Sequence, residues 1–237
     1  MSFLRRPTWF AVALTVAGVL VFARLGLWQL DRASEKEELL RRYAAAASAG
    51  VEEFGLIPEV PPPDRYPRLA LRGHYIEGRY YLLDDQSHGG QVGMHVYVPF
   101  TAKGHDRDVL VDLGFLPKEG GATPRLPPLP AGETTIHGLY VPPPGVGVRL
   151  GGDRLPEQKG PEKTMVYVEL KDIAADLGHT LYPRVLLLDA DPGSIYARDW
   201  TPAVMPPARH RAYAFQWFTF ALAALVIFVL LHRKRRR

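Results

Sequence analysis

A histidine stands between two arginines at Arg209-His210-Arg211, immediately before Ala212–Leu231, a run with no formally charged residue. An imidazole can ligate a metal, carry a proton or anchor a helix at an interface. On a helix beginning there, residues 210, 213, 214, 217 and 221 share a face that reads His, Tyr, Ala, Trp, Ala. Arg209 and Arg211 place cations beside it. One match is a planar, apolar ligand with anionic edges, such as haem: His210 would take the iron, Tyr213 and Trp217 would stack, and the arginines would pair with propionates. The plainer alternative is a His–Tyr–Trp anchor that only fixes helix depth.

Near the other end, Arg24, Trp28 and Arg32 recur every four residues and share one side of a helix. Facing the C-terminal helix, they would close a mouth rich in arginine and aromatic rings. Alternatively Arg24 snorkels, Trp28 joins an aromatic belt and Arg32 pairs with a neighbouring acid.

The remaining candidates are weaker. Asp84-Asp85 before Gln-Ser-His88-Gly-Gly, and Asp189-Ala-Asp191-Pro-Gly, pair carboxylates where turns favour Asp. Met94-His95 is a thin copper site in a chain with four methionines and no cysteine. Gly145-Val-Gly147 sits in a proline-rich loop, a poor phosphate cradle. Without cysteine there are no disulfides, thiolate metal sites or covalent c-type haem, so an exported domain must fold on its own core.

The elements that would position these residues follow from hydropathy. As a helix Ala212–Leu231 is about 30 Å long, the thickness of a hydrocarbon core. The basic His232–Arg237 follows as a stop. Trp9–Leu30, with Arg24 inside it, predicts a first span; a cleaved signal peptide ending near Ala23 is the alternative. Residues 31–211 hold 21 basic residues against all 25 acids, and the remaining basic residues cluster around the spans. Positive-inside then puts both termini in the cytoplasm and the middle outside. No basic stripe argues for nucleic acid.

The expected layout is a cytoplasmic N-terminus (1–8), a transmembrane helix (9–30), a charged helix (31–50) and a Pro-rich linker (51–67). A β-rich extracytoplasmic domain (68–205), a second transmembrane helix with its lead-in (206–231) and a basic tail (232–237) complete it. Seven strands are expected: RLALRGHYI, RYYLLDD, HVYVPFTA, RDVLVDLGF, ETTIHGLYV, TMVYVEL and YPRVLLLD. Val109, Val111, Leu113 and Phe115 alternate with Asp112 and Gly114 in the manner of a half-buried strand. QSHGG reads as a loop, and Leu170–Leu177 as a short helix capped by Gly178. The fold class is a membrane-anchored α+β protein whose two terminal helices flank a mainly antiparallel β domain, sandwich or barrel.

Four segments carry a family resemblance. LGLWQLDR (Leu25–Arg32), GQVGMHVYVPF (Gly90–Phe100), VLVDLGFLP (Val109–Pro117) and HRAYAFQWF (His210–Phe218) resemble, in order, signature segments of the Surfeit locus protein 1 family. Asp112, Leu113 and Phe115 depart from that family's usual Asn, Arg and Trp, and Arg209 and Arg211 from Asn and Leu. The resemblance implies a non-enzymatic assembly factor for haem–copper cytochrome c oxidase that binds haem a, with His210 as the suggested iron ligand. It also implies insertion of haem a into oxidase subunit I, with haem A synthase as a further partner. The short basic N-terminus fits a bacterial plasma membrane. Two rivals remain: a scaffold for a subunit I intermediate that never touches haem, and a membrane-anchored hydrolase using Asp84, Asp85 or His88.

Overall fold

The computed structural model describes residues 7–56, 61–118, 124–145, 155–200, 202 and 204–233. In chain order the elements are α1 (Trp9–Ala47), β1 (Val51–Glu53), β2 (Arg68–Tyr75), β3 (Tyr80–His88), β4 (Gln91–Ala102) and β5 (Asp108–Pro117). They continue with β6 (Thr134–Val141), β7 (Glu162–Met165), α2 (Leu170–Leu177), β8 (Leu181–Leu188) and α3 (Pro207–His232). They form two compact units, one of Met1–Arg41 with Pro202–Arg237 and one of Arg42–Thr201.

In the first unit both helices are long and apolar enough to cross a membrane, with mean hydropathy 2.2 and 2.3 over their most apolar windows. α1 runs unbroken from the apolar segment into the charged one. There Arg32–Glu35 and Arg41–Glu38 ion pairs one turn apart support it. α3 begins where proline chemistry dictates: Pro206 is extended at ψ 141, and Pro207 takes a first-turn position whose missing N–H costs nothing.

The helices meet along a seam of small residues. On α3 the shielded positions include His210, Ala214, Trp217, Ala221, Ala224 and Phe228. On α1 they include Thr15, Gly18, Phe22, Gly26, Gln29 and Ala33. Alternating steps of three and four residues average about 3.5, the repeat of a left-handed helix pair. Ala214 and Ala221 are buried, and a Cβ at Gly26 would lie 2.7 Å from the Phe218 ring. A side chain there would require the Phe218 ring to move aside. Close backbone approach through small residues is how helices gain contact in lipid, where no hydrophobic drive operates between them.

The second unit is a closed β structure. β2 pairs antiparallel with β6 over Arg68–Gly73, and its far end, Gly73–Tyr75, pairs with Phe100–Ala102 of β4. That second pairing closes β2-β6-β8-β5-β4 into a ring, leaving β3 and β7 beyond β4 and β1 beside β2. At the closure a Cβ on Gly73 would lie 2.0 Å from the Thr101 carbonyl oxygen, so a side chain there would open the ring. Most ladders are antiparallel, as expected, but β1–β2, β3–β7 and β5–β8 are parallel.

Both faces of the ring are covered. Leu69, Val98, Phe100, Val109, Val111 and Leu186 share one core. Tyr81, Tyr97, Leu110, Leu139 and Val185 form another with Ile173 of α2 and Ala46 of α1. β5 is therefore buried on both sides, not half-buried: the alternation of Val109, Val111 and Leu113 with polar Asp112 reflects a buried ion pair, not solvent.

Three further expectations change. QSHGG is not a loop; β3 continues to His88 and turns through Gly89 and Gly90, both at positive φ, into β4. Two such residues make the tight turn whose twist suits a hairpin. TMVYVEL is not one strand: β7 spans Glu162–Met165, because its parallel ladder on β3 ends at Leu83, where the β3–β4 register shifts. The Pro-rich stretch contributes β1, and Arg184 holds its proline part by donating to the Pro61, Pro62 and Arg65 carbonyls. The expected short helix and its Gly178 cap are present as read. Residues 1–6, 57–60 and 234–237 of the expected termini and linker lie outside the described residues, as do Val146 and Gly147.

Candidate functional site

His210 stands three residues into α3, at half burial, and faces Gln29 of α1. Its Nδ1 lies 2.7 Å from Gln29 Oε1. An amide oxygen can only accept, so Nδ1–H donates, and Nε2 keeps its lone pair. Among the described residues nothing bonds Nε2. With Gln29 Oε1 as the acceptor the ring is held as the Nδ1–H tautomer, which leaves Nε2 available.

Below the histidine the seam turns aromatic. Trp217 stacks on Phe22 at 5.9 Å and 21°, and Phe220 meets both rings edge-on. Tyr213 leaves the seam: at 42% exposure it lies on the flank, since a repeat of 3.5 selects 210, 214 and 217 and passes over 213.

The basic residues divide. Arg211 forms an ion pair with Glu37 of α1. Arg32 pairs with Glu35 at 2.7 Å and lies over the Trp28 ring at 5.7 Å, so it serves its own helix. Arg209 and Arg24 are exposed, and among the described residues neither forms an ion pair. At about 100° per residue, Arg24 falls roughly opposite the seam marked by Gly18, Phe22, Gly26 and Gln29. It therefore faces away from α3, and the expected mouth of Arg24, Trp28 and Arg32 against α3 is not formed as a set. His210 and Trp217 are brought to the seam together; Tyr213, Arg209, Trp28 and Arg32 border it.

Sequence reasoning missed Gln29, Gly26, Phe22 and Glu37. Gln29 had a signal: it interrupts the apolar Leu25–Leu30, and polar side chains within a span turn towards partner helices.

Elsewhere, in the β unit, several of the weaker candidates have structural partners. Asp84 is ion-paired with Lys118 at 2.5 Å, and the lysine bond holds its pKa below the usual carboxylate range. His88 packs its ring on Phe115. Asp191 caps the Gly193 N–H at 2.9 Å, as a turn aspartate does. Among the described residues no group of three or more His, Asp or Glu is placed to hold a metal. His95 instead gives Nδ1 to buried Asp112 at 2.9 Å, and Asp112 also accepts the Gly114 N–H at 2.8 Å.

Fold and site together define a membrane-anchored α+β protein in which two apolar helices, from opposite ends of the chain, clasp a histidine against a glutamine. A search of curated proteins gives no match to this chain. Residues 16–222, most of the sequence, match the model of the SURF1 family, and the protein belongs to that family. The family is associated with cytochrome c oxidase assembly.

Proposed function

We propose that this protein is a non-enzymatic carrier that takes haem a at the helix pair and delivers it to oxidase subunit I, with haem A synthase as a candidate donor. In this reading the membrane is a bacterial plasma membrane, both termini are cytoplasmic and the β unit docks partners outside. The observation that carries it is the unpartnered Nε2 of His210, on a ring held by Gln29, with Trp217 two turns further along the same seam and Arg209 and Tyr213 on its flanks. A single axial nitrogen suits cargo that must be released, because every added ligand deepens the well from which transfer starts. Arg209 is the propionate partner left once Arg211 and Arg32 are committed to Glu37 and Glu35.

The test is the absorption spectrum of protein purified from cells that make haem A. His210→Ala should lose most of the Soret band while inserting normally into the membrane. Equal haem content in both forms would remove His210 as the ligand.

A second reading, a scaffold that never touches haem, draws support from those same ion pairs, which spend two cations on holding helices. It predicts a flat Soret region in the folded wild type.

A further inference from the structure

We infer that Gln29 is the positioning residue of the site: its amide oxygen fixes His210 in the Nδ1–H tautomer and so makes Nε2 the nitrogen that meets the cargo. The inference rests on the carrier reading for its purpose but on geometry for its content. Two segments distant in sequence are locked in one register. Gln29 meets His210 at 2.7 Å, and one turn earlier Gly26 admits the Phe218 ring. The same helix pair thus supplies both the hydrogen bond and the close approach that makes it reachable.

The choice of an amide has a chemical consequence. A carboxylate at this position would draw the Nδ1 proton towards itself, raise the basicity of Nε2 and strengthen its bond to ferric iron. An amide orients the ring with little added charge. That gives a weaker donor, and a weaker donor lets go. Hydrogen bonding to an axial histidine is also a lever on haem potential. Gln29 therefore does more than fill space between helices: it sets both the direction and the strength of the histidine.

The experiment uses full-length protein in detergent, labelled with ¹⁵N-histidine, with His210→Ala to assign the resonance. Without haem, His210 should show a protonated Nδ1 and a bare Nε2. Gln29→Leu, near in volume, should return the ring to a mixture of tautomers, and Gln29→Glu should restore Nδ1–H. A protonated Nε2 in wild type, or a tautomer indifferent to Gln29→Leu, would overturn the inference. Haemin is then added as the probe. Gln29→Leu should bind it on the order of tenfold more weakly, the usual scale for losing a ligand's outer partner. Gln29→Glu should bind at least as well as wild type and lower the midpoint potential, a change that helix packing alone would not produce. Unchanged haemin affinity in Gln29→Leu counts against the inference, whereas unchanged affinity in His210→Ala counts against the carrier reading and leaves the tautomer result to stand or fall by itself.

Discussion

His210 and His95 each have a hydrogen-bond acceptor at Nδ1, and the acceptor decides what each ring does. His210 faces a neutral amide and keeps a free nitrogen at the helix pair. His95 faces Asp112, a carboxylate 4% exposed in the β core. Burial is the largest influence on His95 and opposes its charged form, but the charge and hydrogen bond of Asp112 together outweigh it, so its pKa is raised. A histidine whose folded pKa exceeds its unfolded value of about 6.5 stabilises the fold fully below that value, and the contribution disappears as pH rises through the folded pKa. The stability difference between wild type and His95→Gln should therefore be largest in mild acid and shrink towards alkaline pH. Melting temperatures of both forms across that range measure it; a difference that grows with pH would refute the charged pair. The carboxylate at position 112 is what makes the charged pair possible. Periodicity alone read Asp112 as solvent-facing because a buried acid and an exposed one look alike until the partner strand brings His95 across.

α1 and α3 depend on a notch as well as on apolar length. Gly26 leaves room for Phe218, and the neighbouring stack of Phe22 on Trp217 fixes the same level of the seam. Gly26→Leu would force an isobutyl group into an occupied ring site. Overpacking of this kind costs about 1–3 kcal/mol in a packed interior. Because the chain has no cysteine, a Phe22→Cys/Trp217→Cys pair can be introduced cleanly and joined with a short bifunctional maleimide. Cross-linking within one molecule should be efficient in that background and fall severalfold when Gly26→Leu is added, with membrane insertion intact. Undiminished cross-linking would mean that the glycine does not control helix approach. The apolar content of both helices was readable from sequence, and so was the aromatic and basic character of their ends. The seam was not: whether Arg24 or Gln29 faces α3 depends on a rotation of α1 that only its partner sets.

For the whole molecule, charge predicts direction. Acids are confined between Asp31 and Asp199, while basic residues precede the first span and follow the second. Translocation of basic flanks is disfavoured, so the intervening residues should lie outside and both ends inside. Single cysteines placed at Lys103, exposed in the β unit, and at Arg233, after α3, should report this on intact cells. A membrane-impermeant maleimide should label the first and spare the second. The reverse pattern would invert the topology and, with it, the side from which His210 is approached. The family match over residues 16–222 takes in α1 from Thr15's neighbour Val16 through most of α3, so both helices belong to the shared architecture.

Composition and periodicity by themselves determined the two apolar helices, the β-rich middle, the capped Leu170–Leu177 helix and the place of His210 near the start of α3. These follow from local rules: hydrocarbon thickness, the two-residue strand repeat and the conformational freedom of glycine. Ring closure of the sheet, the burial of Asp112 with His95 and the meeting of Gln29 with His210 were decided by tertiary structure. Each joins residues far apart in the chain, and the free energy of such a contact belongs to the pair and cannot be read from either residue singly.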